Sequence, residues 1–115
     1  MTTRAHSGKN MWMDRIASLN ELLAQDPNNA FARYGLAMEH SNAGDFDRAL
    51  DEFGKLLAAH PDYVPGYQMA AQTLVKAARP SEAKIMLENG IASARRKGDS
   101  HAESEMQAML DEIGS

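Results

Sequence analysis

Few residues in this chain could do chemistry. The four histidines are His6, His40, His60 and His101, and there is no cysteine. No histidine stands three or four residues from another, the spacing that puts two metal ligands on one helix face. Their expected roles are structural: His6 solvated, His40 packed, His60 in a turn and His101 exposed. A phosphate-cradling glycine loop, a nucleophile elbow and a coupled acid–base pair are all missing. The chain is therefore read as a non-enzyme, with no catalytic residue, metal or cofactor.

Charge narrows the partner class. Arg95-Arg96-Lys97 is a short basic run, but three cations give only weak, salt-sensitive attraction to phosphate. At a helix C-terminus the run also complements the helix dipole. The net charge is −4, against the basic balance of a nucleic-acid binder. No apolar run approaches the ~20 residues of a membrane span, and residues 1–10 carry no apolar core of a secretory signal. A cytoplasmic protein is expected, without nucleic acid, membrane or small-molecule substrate as partner.

The elements that position side chains are helices. Aromatic content is 6 %, while Ala, Leu and Met abound, a mixture that favours helix over strand. Residues 1–10 are polar, lack periodicity and are expected to be a disordered tail. From Met11, Trp12, Ile16, Leu19, Leu22 and Leu23 recur at helical spacing. Pro27 stops that helix, and Asn28 or Asn29 can cap the next, over about 30–41. Gly44 permits a left-handed turn, and Asp45 can cap a third helix over about 46–59. A fourth is expected after Val64-Pro65-Gly66 to about Ala78, a fifth over 81–96 and a last one over 99–113. Ser100 and Glu103 have the spacing of a capping box. The fold class is all-α: about six helices in antiparallel pairs, because the turns are short.

The helices repeat. Leu19/Phe53/Leu87, Leu23/Leu57/Ile91 and Ala24/Ala58/Ala92 share a 34-residue step, as do Pro27/Pro61, Ala37/Ala71 and Ala49/Ala83. A fixed period of this size marks stacked supersecondary units, which build an extended surface for holding something else. The run Gly44-Asp45-Phe46-Asp47-Arg48-Ala49-Leu50, followed by Phe53 and Pro61, resembles the tetratricopeptide repeat (TPR). So does Tyr67, Ala70-Ala71, Pro80, Ala83 and Leu87. The resemblance implies a superhelix with an N-terminal half-repeat (11–29), two repeats (30–63 and 64–98) and a C-terminal capping helix (99–113), one domain over 11–115. Four positions depart from the family pattern: Arg33 for an aromatic, His40 for Tyr or Leu, Ala78 for the turn Gly, and Gly90 for Ala.

In that family the first helix of each unit lines a concave surface. The resemblance turns Leu36, Ala37 and His40 to the core, leaving Phe31, Tyr34, Met38 and Ser41/Asn42 to the groove. On the next helix the matching stripe is Gln68, Gln72 and Val75/Lys76, with Met69 at its edge; Glu105 and Met109 continue it. An aromatic and methionine patch rimmed by amides suits a protein or peptide partner. The expected partner-binding residues are Phe31, Tyr34, Met38, Asn42, Gln68, Gln72 and Lys76. The cationic clamp by which some members hold acidic chaperone tails is not present; Tyr34, Met38, Met69 and Gln72 stand there instead. The alternatives are self-burial of this face by the N-terminal helix or a second copy, homodimer assembly through Met11, Trp12 and Met13, and a regulatory or chaperone-like subunit of a larger complex.

Overall fold

The computed structural model describes residues 11–114, with side chains from Asp14 onward. The expected tail, 1–10, lies outside the described residues, as do the side chains of Met11, Trp12 and Met13 on which the N-terminal assembly reading rests. Among the described residues there are six helices and no strand: α1 (Met11–Gln25), α2 (Ala30–Asn42), α3 (Phe46–Ala59), α4 (Val64–Lys76), α5 (Pro80–Lys97) and α6 (Ser100–Gly114).

Each boundary has a local cause. Asn29 caps α2, its side chain accepting from the Ala32 N–H at 3.0 Å. Asp45 sits at the N-cap of α3 but makes no side-chain cap; its carboxylate turns to Arg48 at 3.5 Å. Helix α4 starts at Val64 rather than after Gly66, because Pro65 fits the first turn, where its missing N–H costs nothing. It stops at Lys76, where Ala77 and Ala78 turn the chain. The cap of α6 is Asp99, one residue before the expected Ser100: Asp99 Oδ1 accepts from the Ala102 N–H at 3.0 Å. Glu103 bonds Arg95 instead of closing a capping box, with Arg95 Nε donating at 2.6 Å.

Burial follows the repeat. Ala37, Ala49, Phe53, Leu56 and Ala70 form one cluster, and Tyr67, Ala71, Leu87, Ile91, Ala94, Ala102 and Met106 form the next. Buried alanines at Ala37, Ala49, Ala70, Ala71 and Ala83 let backbones approach, while Phe53 and Leu87 fill the space between. Most helices here are too short to be stable alone, so this stacking supplies the stability.

Consecutive helices pack in order, and α2 touches α4 as α4 touches α6. The backbones of α3 and α5 stand apart, as do those of α1 and α3, so any contact within these pairs is through side chains, as where Met86 packs against the Phe53 cluster. One side of the array is therefore closed and lined by α2, α4 and α6, and the other is splayed. Helix α1 packs on α2 through Ile16, Leu19 and Leu23 against Ala32 and Leu36. Among the described residues its backbone runs beside α2 and not beside α4 or α6.

Candidate functional site

The closed side brings the expected residues onto two neighbouring helices in register. Tyr34 and Gln68, Met38 and Gln72, and Asn42 and Lys76 each stand one 34-residue step apart on α2 and α4. Phe31 is 72 % exposed. It supports nothing in the described core, which sets it apart from its two apolar neighbours. Tyr34 and Met38 are half-buried against the Phe53 cluster, and Tyr34 meets Tyr63 at a 5.4 Å ring separation and Phe53 edge-on at 6.4 Å. The fold thus uses Tyr34 and Met38 for itself and leaves only their outer edges to the groove. Burial, with Tyr63 adjacent, holds the Tyr34 phenol above its ordinary pKa.

Ser41 does not reach the groove. It is buried, and its hydroxyl lies 2.9 Å from that of Thr73 on α4. Thr73 spends its own proton on the Met69 carbonyl at 2.9 Å, so Ser41 donates in the pair. This buried polar contact pins α2 to α4.

Towards α6 the surface opens again. Gln72, Val75 and Lys76 with Met109, Glu112 and Ile113 line an apolar cavity of about 250 Å³. Gln68 Nε2 donates to Glu105 Oε1 at 3.2 Å, bridging α4 to α6. Asn42 sits apart from these residues, at the α1 edge, where it lines a cavity with Arg15, Glu39 and Ala43. Arg15 is held there by Glu39 at 2.8 Å. Ile113 packs against the Leu87–Met106 cluster and also lines the cavity beside Gln72 and Met109.

Among the described residues two histidines have polar partners. His101 Nε2 lies 3.2 Å from Glu105 Oε2 on the same helix. His60 Nε2 lies 2.8 Å from the Asn28 carbonyl, tying the turn after α3 to the turn after α1. His40 is half-buried beside Ile16, Ala17 and Asn20. Among the described residues no group of three His, Asp or Glu side chains could hold a metal, and no helix is long and apolar enough to cross a membrane.

Residues 42–110 match the family model for the tetratricopeptide repeat. The chain belongs to the tetratricopeptide-repeat family. A TPR repeat-containing protein of Pseudomonas aeruginosa is 31 % identical over 98 residues, 85 % of this chain and 93 % of that one. Among solved structures, a tetratricopeptide repeat domain protein from Salinibacter ruber matches with 33 % identity and a TM-score of 0.72, over 76 % of this chain and 89 % of that one. The Yersinia enterocolitica type III secretion chaperone SycD, solved in complex with a peptide of the translocator YopD, superposes with a TM-score of 0.82 at 16 % identity, over 95 % of this chain and 84 % of that one. At that identity the likeness is one of fold.

Within the TPR family two of the four departures now have a physical account in this chain. Arg33 Nη2 donates to the Pro27 carbonyl at 2.9 Å, and its Nη1 reaches Glu52 at 2.7 Å. One step later Tyr67 donates its hydroxyl to the Pro61 carbonyl at 2.6 Å. The same turn carbonyl is satisfied by a guanidinium in one unit and a phenol in the next. Gly90 lies where α5 approaches both neighbours: a methyl there would sit 2.5 Å from Met106 Sδ and 2.6 Å from Tyr67 Cβ.

Proposed function

We propose that this chain is a non-catalytic protein-interaction module whose concave face, on α2, α4 and α6, binds a segment of a partner protein. One observation carries the reading: Phe31, a large aromatic, stands 72 % exposed on the closed side, where the described core makes no use of it. Exposed aromatics beside methionine edges are the usual anchors of interfaces. Met38 and Met69 offer adaptable edges, and Gln72 and Asn42 offer amides able to bond a partner backbone. The apolar cavity beside Gln72, Val75 and Met109 would take a second anchor. A chain of this fold can hold a peptide, as SycD holds one of YopD.

The test is capture from the source lysate with wild type beside Phe31→Glu/Gln72→Glu. Phe31 is exposed and Gln72, half-buried at the mouth of a cavity, supports no core cluster, so circular dichroism should be unchanged. Tyr34 is left intact because it packs on Phe53 and Tyr63. The expected result is a protein retained by wild type and lost by the variant. Its minimal segment should then shift the amide resonances of residues around Phe31 and Gln72. Equal capture by both baits would remove the concave face from the reading.

A further inference from the structure

The splayed side carries a second surface. Two grooves lie there, one between α1 and α3 and one between α3 and α5, and they are the same groove one repeat step apart. The first is lined by Ile16, Asn20, His40, Asp45 and Arg48. The second has Leu50, Gly54, Leu74, Arg79 and Glu82 at the equivalent positions, with Phe53, Ile85 and Met86 besides, around a cavity of about 330 Å³. Asn20 becomes Gly54 and His40 becomes Leu74. The first groove carries Asn20 and His40 at these two positions, so the array does not require them to be without a polar group.

Gly54 sharpens the point. Glycine weakens a helix interior relative to alanine. The other glycines well inside helices have a contact to explain them: a methyl at Gly35 would press on Leu19, at Gly66 on Leu56 and Leu57, and at Gly90 on Met106 and Tyr67. A methyl at Gly54 would meet nothing within 4 Å. The notch is open to something outside the chain. Beside it stands Ile85, 60 % exposed.

We propose that a second copy of this chain occupies the α3/α5 groove, in a two-fold dimer that packs the splayed sides back to back. A patch holding both a protruding side chain and a notch is complementary to itself, as a two-fold contact demands. Ile85 of each copy enters the groove beside Gly54 of the other. Charge agrees: Lys84 and Glu88 flank Ile85 on α5, and among the described residues neither has an ion-pair partner. With the two α5 helices antiparallel about Met86, Lys84 of each copy faces Glu88 of the other. The face is roughly 27 Å long, at 1.5 Å per residue over α5, and about two helices wide. It would bury on the order of 1,000 Å² in total, the low end for specific interfaces, so the dimer is a weak one. Both concave faces remain outward, doubling the valency of the module.

Sedimentation of the full chain from about 1 to about 300 µM, a range suited to so small an interface, tests this. The mass should rise from 12.6 kDa towards twice that value. Ile85→Glu and Gly54→Leu should each weaken the dimer at least tenfold with circular dichroism unchanged. Lys84→Glu should weaken it severalfold, and Lys84→Glu/Glu88→Lys should restore it. A wild-type mass of 12.6 kDa throughout would overturn the proposal. So would a dimer indifferent to Ile85→Glu, or one that the charge exchange fails to restore.

Discussion

The hairpins α2–α3 and α4–α5 follow one backbone path with different side chains. In the first turn Ala43, Gly44 and Asp45 donate to the carbonyls of Glu39, Ser41 and His40 at 2.9–3.0 Å. One repeat step on, Ala77, Ala78 and Arg79 donate to Thr73, Val75 and Leu74 at 2.8–3.0 Å. The hydrogen bonds superpose, yet the left-handed residue is Gly44 (φ 82°) in one and Ala78 (φ 60°) in the other. Inside the pairs, Leu56 of α3 becomes Gly90 of α5, and Arg33 of α2 becomes Tyr67 of α4. The second unit answers a large aromatic with the smallest residue opposite it. The repeat thus conserves the hydrogen bonds of its turns and exchanges the residues that supply them.

The strongest way to break the comparison is to empty the position both hairpins share. Phe53 and Leu87 are one step apart and both fully buried. Phe53→Ala should cost about 3–5 kcal/mol and Leu87→Ala about 2–5 kcal/mol, the transfer and cavity terms of large-to-small changes. Urea denaturation would measure both. A cost under about 1 kcal/mol at either site would mean that the two units do not share one packing scheme.

Gly90→Ala comes next. Propensity alone predicts a gain, since alanine is the better helix former. The contacts predict a loss, because Tyr67 Cβ is fixed to backbone and cannot yield as a side-chain tip can. Overpacking should win, with a destabilisation of about 1–3 kcal/mol. A rise in the urea midpoint would show that α5 can move off α4 at little cost.

The turn pair gives a smaller, reciprocal effect. Ala78→Gly should stabilise by about 1 kcal/mol, the steric cost of an L-residue in the left-handed region less the added unfolded-state entropy. Gly44→Ala should destabilise by a similar amount. Thermal melts of the two variants should move in opposite directions. Shifts of the same sign would sink the equivalence of the turns.

What could be read in advance was local or periodic. The stripes Ala49–Phe53–Leu56 and Ala83–Leu87–Ile91 and the breaks at Pro27, Gly44 and Pro61 sit within one turn of the residues they control. Asn29 was open between two neighbours because both can cap; the backbone chose it. Asp99 was passed over for Ser100 because both suit an N-cap and Glu103 fitted Ser100's spacing, whereas Glu103 is drawn off by Arg95 on another helix. In the sequence Gly90 is only a departure from the family pattern, because its reasons, Tyr67 and Met106, lie on other helices. The candidate face divides in the same way. The register of Phe31, Met38, Gln72 and Lys76 follows from period alone. The half-burial of Tyr34 and the loss of Ser41 to Thr73 depend on side chains beyond α2. Ile85 lies off the Met86–Leu87 stripe, and nothing within α5 says that a groove stands beside it.

The finest test of the comparison is electrostatic. At the end of the second hairpin, Arg96 donates to Asp62 Oδ1 through Nε at 3.0 Å and Nη2 at 2.7 Å, and Ser93 adds a third bond at 3.2 Å. One step earlier the same turn position is Asn28, which cannot ionise and gives its carbonyl to His60. The hydrogen bond from Arg96 holds the Asp62 carboxyl below its ordinary pKa, and Ser93 acts in the same direction. A carboxyl whose pKa is lower folded than unfolded adds stability above the unfolded pKa, about 3.9, and loses it as pH falls through the folded value. Asp62 is exposed and solvent screens the pair, so the effect is small. Asp62→Asn, which makes the second turn like the first, should lower the melting temperature slightly above about pH 4. The gap from wild type should close as the pH drops below that value, and added salt should narrow it at neutral pH. A gap that is constant from acid to neutral pH would assign the pair's role to geometry rather than charge, and the two turns would then differ in residue but not in mechanism.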